Sequence, residues 1–188
     1  MQAVTRLSRE GGRSERRGDD TNMSAATLEL ATRLGALLVQ RKWRVATAES
    51  CTGGLLAGAI TDVAGSSGWF ERGFVTYSND AKVEMLSVDV GTLTAHGAVS
   101  EPTAREMAAG ALQRSGADLA IAVTGVAGPT GGSAAKPVGL VCFGLGCRDG
   151  RVESWTERFA GDREAVREAA VTRALDALVR QALGHSRD

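Results

Sequence analysis

The sequence predicts an α/β fold, a three-layer α/β/α sandwich built on a mixed, mostly parallel sheet. Two observations carry this. Segments with helical apolar spacing alternate with short strand-like runs along the chain, and the first strand, helix and strand succeed one another in crossover order. A third sets the scale: 188 residues suit one domain that buries its own core without disulfides or metals.

Taken in order, Ser24 is a good helix cap, and Leu30, Leu34, Leu37 and Leu38 then recur with helical spacing that stops near Trp43. "WRVATAE" (43–49) reads as a strand, Gly53 to Ile60 as a helix, and "FERGFVTYS" (70–78) as a second strand, with "DVAGSSG" as the turn between them. Ser100 caps a helix running to about Ser115, whose Ala104, Met107, Ala108, Ala111 and Leu112 share one face, with Pro102 tolerated in the first turn. "DLAIAVT" (118–124) and "VGLVCFGLGC" (138–147) are apolar enough for buried strands, and "RVESWTERFA" (151–160) alternates as an exposed edge strand does. Asp162 caps a last helix that turns Val171, Ala174, Leu175, Leu178 and Ala182 to the core. Residues 1–22 show no such periodicity and cannot repay ordering entropy by burial. They are expected to be a disordered extension before a single domain over 23–188, with Met23 followed by Ser24 suggesting an over-long start.

Composition excludes several function classes. Lys and Arg number 22 and so do Asp and Glu, which leaves no broad basic field for nucleic acid. Three cysteines are an odd set that forms no metal-type cluster with the two histidines, which argues for a reducing, cytoplasmic setting. No apolar run approaches the roughly 18 residues of a membrane span, so no membrane partner is expected, and with no phosphate-loop or dinucleotide motif no cofactor is expected either. The alternating edge strand suits a homodimer.

The chemistry concentrates in "TAESCTGG" (47–54), where Ser50, Cys51 and Thr52 precede a glycine pair at the change from strand to helix. Gly53 and Gly54 let the backbone approach a ligand, and a helix N-terminus offers unpaired N–H groups; a turn needing positive φ accounts for the same pair. A serine beside such donors has a nucleophile and an oxyanion hole in one loop. Its base is open. His185 lies in the C-terminal tail, and His96 in "TAHGAVS" reads equally as a loop residue. Only Lys42, Lys82 and Lys136 among the 22 basic residues are lysine, and lysine, unlike arginine, can lose its proton when buried. Lys82 follows closely on Tyr77, the one tyrosine, at the end of the second strand; both reach Ser50 if that strand neighbours the first. Tyr77 is then a proton relay or an orienting group for the lysine, or simply an aromatic at a sheet end. The glycine-rich loop "TGVAGPTGGSAAKPVG" (124–139) joins two apolar strands and offers Thr124, backbone amides and Lys136 to a nucleotide or phosphate, but matches neither GxxxxGK[ST] nor GxGxxG. Cys51 is a rival nucleophile, although neighbours on an extended strand end point to opposite faces.

These blocks, with "GSSGWFERGFVTYSNDAK", "GAVSEPTAREMA" and "FAGDREAVR", run in order from about residue 25 to 183. Together they resemble the nicotinamide mononucleotide deamidases (PncC), the amidohydrolase family also found as the C-terminal domain of competence/damage-inducible protein CinA. The resemblance implies metal-free hydrolysis of the carboxamide of nicotinamide mononucleotide, in pyridine nucleotide recycling. It implies a serine nucleophile assisted by lysine and tyrosine, here Ser50, Lys82 and Tyr77. It also implies substrate contacts at Thr52, Gly53, Gly54, Gly125, Ala127 and Gly128, with Ser100 and Arg163 as further polar contacts. A non-catalytic nucleotide-binding module and a Cys51-dependent amidase are the alternatives.

Overall fold

The computed structural model describes residues 24–184; the expected N-terminal extension and His185 lie outside them. In chain order come α1 (Ala25–Arg41), β1 (Val45–Glu49), α2 (Leu55–Thr61), β2 (Phe70–Val75), α3 (Asn79–Leu86), α4 (Val90–His96), α5 (Glu101–Gln113), β3 (Leu119–Gly125), β4 (Leu140–Cys147), β5 (Val152–Arg158) and α6 (Arg163–Leu183). The strands form one mixed sheet in the order β2-β1-β3-β4-β5. β1 is parallel to β2 and β3, whereas β4 runs antiparallel to both β3 and β5, so β4 alone opposes the common direction. The connections explain the mixture. Helices carry the chain across between the parallel strands, while the glycine-rich loop returns it directly from β3 to β4.

The sheet divides two cores. On one face Val45, Ile121, Val123, Phe143 and Trp155 pack with Leu34 and Leu38 of α1, Leu56 and Ile60 of α2, and Leu175 and Leu178 of α6. On the other, Ala46, Ala48, Ala120 and Ala122 meet Leu86 of α3 and Met107, Ala108 and Ala111 of α5. The alanines matter to the spacing, because small side chains let α5 lie close on the sheet. At Gly144 a Cβ would stand 2.1 Å from the Ala104 carbonyl oxygen, so only glycine fits there. None of the described helices is long and apolar enough to cross a membrane.

Two helices depart from the sequence reading. Residues 79–86 form α3 where no element was read, and 90–96 form α4, which runs into the "TAHGAVS" segment (94–100) read as a loop. Neither shows an apolar stripe: the buried residues of α3 are Lys82 and Leu86, and α4 has none. The second strand accordingly stops at Val75, and Ser78 caps α3 by accepting from the Ala81 N–H at 3.0 Å.

Candidate active site

Strand alternation sets the site. Along β1, Val45 joins the α1/α2/α6 core while Ala46 and Ala48 join the other. Period two therefore sends the side chain of Glu49 to the α2 face and that of Ser50 to the α3 face. Both consequences are seen. Glu49, wholly buried, accepts from the N–H groups of Gly54 (2.9 Å), Leu56 (3.1 Å) and Ala57 (2.9 Å) and from the Thr47 hydroxyl (3.3 Å). The N-terminus of α2 is thus satisfied by a carboxylate of the protein itself, where a negative group complements the helix dipole. The two glycines make the turn possible, with φ of 60° at Gly53 and 97° at Gly54.

On the opposite face, Lys82 Nζ lies 3.1 Å from Ser50 Oγ. The amine also donates to the carbonyls of Thr76 (2.8 Å) and Tyr77 (3.5 Å), and the residue is 1% exposed. Its contacts contain no carboxylate to hold the charged form. Burial pulls its pKa down from 10.5 to about 8, with the neighbouring Cys51 opposing weakly. A neutral amine has two protons and one lone pair. Two carbonyls can take the protons, which leaves the lone pair for the hydroxyl of Ser50.

Ser50, Cys51, Tyr77, Lys82, Ala98, Val99, Thr124, Gly125, Ala127 and Arg163 line a cleft of about 210 Å³. Arg163 donates to the Gly128 carbonyl at 2.8 Å and to the Tyr77 hydroxyl at 3.3 Å, which ties the start of α6 to the glycine-rich loop. Thr124 donates to the Ala98 carbonyl at 2.8 Å. Among the described residues, the buried hydroxyls of Thr52 and Thr76 have no hydrogen-bond partner, an unusual condition for buried oxygens.

Several sequence-predicted residues sit differently from their expected roles. Tyr77 brings its carbonyl, not its hydroxyl, to Lys82; the residue is 63% exposed at the cleft. The N–H groups of Gly53 and Gly54 are already given to the Ser50 carbonyl and to Glu49, so neither is an open anion donor. The N–H groups of Cys51 and Thr52 reach no backbone carbonyl among the described residues. Ser100 caps α5 and donates to the Gly97 carbonyl at 3.0 Å, outside the cleft lining. Lys136 donates to the carbonyl of His96, and neither residue lines the cleft. Cys51 does line it, but burial pushes its thiol up to about 12, which disfavours a thiolate.

Sequence reasoning missed Glu49 and Arg167. The latter donates to the carbonyls of Cys51 (3.2 Å) and Thr52 (2.9 Å) from α6, 115 residues away in the chain from the nearer. Nothing local marks it, whereas the acidic residue just before a helix-starting glycine turn was a readable cue for Glu49.

The arrangement has close relatives. A model described as the CinA C-terminal domain matches residues 27–182. A protein named nicotinamide-nucleotide amidohydrolase PncC from Enterobacter agglomerans is 56% identical over 153 residues, covering 81% of this chain and 93% of that protein. Its namesake from Escherichia coli strain K12 is 53% identical over 156 residues, covering 83% and 94%. The crystal structure of competence/damage inducible protein CihA from Agrobacterium tumefaciens matches with a TM-score of 0.82 at 51% identity, covering 84% of this chain and 96% of that one. A CinA superfamily protein from Klebsiella pneumoniae matches at 0.81 and 45% identity, covering 84% and 98%. By family model, sequence identity and fold alike, the chain belongs to the CinA C-terminal domain family.

Proposed function

We propose that this protein is a nicotinamide-nucleotide amidohydrolase that converts nicotinamide mononucleotide to nicotinate mononucleotide and ammonia, with Ser50 as nucleophile and Lys82 as its base. The observation that carries the reading is the buried amine of Lys82, 3.1 Å from Ser50 Oγ and held by two backbone carbonyls. The relatives named as nicotinamide-nucleotide amidohydrolases supply the substrate.

The steps balance without another reactant than water. Neutral Lys82 takes the Ser50 proton as Oγ attacks the carboxamide carbon, and the N–H groups of Cys51 and Thr52 meet the oxyanion. The ammonium of Lys82 then gives its proton to the departing nitrogen; the C–N bond breaks and ammonia leaves. Water attacks the Ser50 ester, Lys82 takes the water proton and returns it to Ser50, and the nicotinate nucleotide departs. Tyr77 acts as a cleft wall against the pyridine ring, together with Gly125 and Ala127. Arg163, flanked by Asp162 and Glu164, stands where this cleft meets a groove of about 520 Å³ along Ala127, Pro129, Val138 and Gly161, whose Arg163 side receives the ribose phosphate. Thr52, Gly53, Gly54 and Gly128 serve the site through the backbone, and Ser100 by fixing the neighbouring loop. The activity belongs to cytoplasmic recycling of pyridine nucleotides, by a homodimer.

Purified protein given nicotinamide mononucleotide should release ammonia and a pyridine product heavier by the exchange of NH₂ for OH. Nucleotide binding without turnover would favour a non-catalytic module. Turnover abolished by thiol alkylation, but intact in Ser50→Ala, would favour a Cys51-dependent amidase.

A further inference from the structure

We propose that Arg167 and Glu49 are positioning residues that grip the nucleophile turn from its two ends and aim its N–H groups at the oxyanion. The proposal rests on the serine hydrolase reading above and adds the groups that make the turn a working oxyanion hole.

In a trans peptide the carbonyl and the following N–H point in opposite directions. Arg167 holds the Cys51 carbonyl from α6, so the N–H of Thr52, in the same peptide plane, faces away from α6. The second bond, to the Thr52 carbonyl, fixes the next plane, whose N–H at Gly53 closes back on the Ser50 carbonyl at 3.1 Å. Two successive peptide planes are therefore set by one planar, forked donor, which a lysine cannot reproduce. The guanidinium also polarises the Cys51–Thr52 peptide and strengthens its N–H as a donor, an effect that grows with the charge of the acceptor and so favours the transition state.

Glu49 acts at the other end. Its carboxylate takes the N–H groups of Gly54, Leu56 and Ala57, so the groups that would otherwise compete for an anion are spent and α2 is locked against β1. The division of labour follows: the N–H groups of Gly54, Leu56 and Ala57 belong to Glu49, that of Leu55 to the Thr52 carbonyl, and those of Cys51 and Thr52 meet no backbone carbonyl among the described residues. Because Arg167 lines a neighbouring cavity between α2 and α6, which shares only Arg163 with the reaction cleft, and is itself absent from the cleft lining, its effect runs through the turn and not through substrate contact.

The test compares Arg167→Met, Arg167→Lys and Glu49→Gln with the unmodified protein, reading kcat, KM and the pH profile per folded molecule. Arg167→Met should lose about 10²-fold in kcat, the scale of one oxyanion donor, with KM changed by less than about threefold. The alkaline-rising limb should keep its midpoint, because Lys82 keeps its partners. Arg167→Lys should recover only part of the loss, and Glu49→Gln should fall in the same direction. A kcat within threefold of the unmodified protein, or a loss expressed in KM, overturns the proposal. Should Arg167→Met fail to fold, Arg167→Lys decides by the same criterion. Amide exchange across residues 50–57 is read in parallel and needs no turnover: about tenfold faster exchange at Gly53 in the Arg167 variants supports the grip, and unchanged exchange refutes it. Absence of ammonia release by the unmodified protein sinks the hydrolase reading alone, leaving the exchange measurement to judge the grip.

Discussion

Titrating Lys82 tests the site through both rate and stability. With a pKa near 8 the amine is neutral in about one molecule in eleven at pH 7, half at pH 8 and nearly all above pH 9. If the neutral amine is the base, kcat/KM rises about tenfold per pH unit below 8 and levels off near 9. The same shift has a thermodynamic counterpart. Below pH 8 both folded and unfolded chains carry the proton, so the penalty of burying the charge is fully present. Between pH 8 and 10.5 the folded state sheds the proton first, the unfolded state binds more, and stability rises with pH. About 2.5 units at 1.36 kcal/mol each make roughly 3 kcal/mol. Urea denaturation of the unmodified protein and of Lys82→Met at pH 7 and pH 10.5 isolates this from other titrating groups. The difference between the two proteins should move by about 3 kcal/mol in favour of the unmodified chain. A flat rate profile from pH 6 to 9, with no change in that difference, would refute the account of Lys82.

Other outcomes follow from the same geometry. Lys82→Arg should lose at least about 10³-fold in kcat while remaining folded, because it keeps the charge but cannot give up the proton; near-normal activity would remove lysine as the base. Cys51→Ala should keep ammonia release within a few-fold, and alkylation of the buried thiol should be slow at neutral pH. Gly144→Ala should cost about 1–3 kcal/mol in urea denaturation, since the new methyl meets the α5 backbone, with the pH profile of any folded fraction unchanged. Light scattering should give twice the chain mass if the proposed homodimer forms.

The sheet was legible because its strands are short, apolar or alternating, and punctuated by turns. Ser24, Ser100 and Asp162 were readable as caps, and each accepts from the N–H three residues on in the structure. What escaped was hidden by function. α3 places a lysine in a core-facing slot, four residues before Leu86, and so erases the apolar stripe that would reveal a helix. α4 has no fully buried residue, with only Leu93 packing partly against the α5-side core, and so gives no amphipathic signal. The proximity of Ser50 and Lys82 was legible as a conditional: it needed β2 beside β1, and the parallel pairing supplies that. The donors expected to be open at Gly53 and Gly54 are taken within the turn, the first by the Ser50 carbonyl and the second by the Glu49 carboxylate. Arg167 was beyond reach because its bonds span more than a hundred residues, a distance only the packing of α6 against α2 and β3 can close.

The most direct measurement is acid-quenched turnover of nicotinamide mononucleotide followed by peptide mass mapping. A nicotinate-nucleotide ester should form on Ser50 during turnover and be absent from Ser50→Ala, which should release no ammonia. Ammonia release by Ser50→Ala at the unmodified rate, or an adduct on Cys51 instead, would contradict Ser50 as nucleophile.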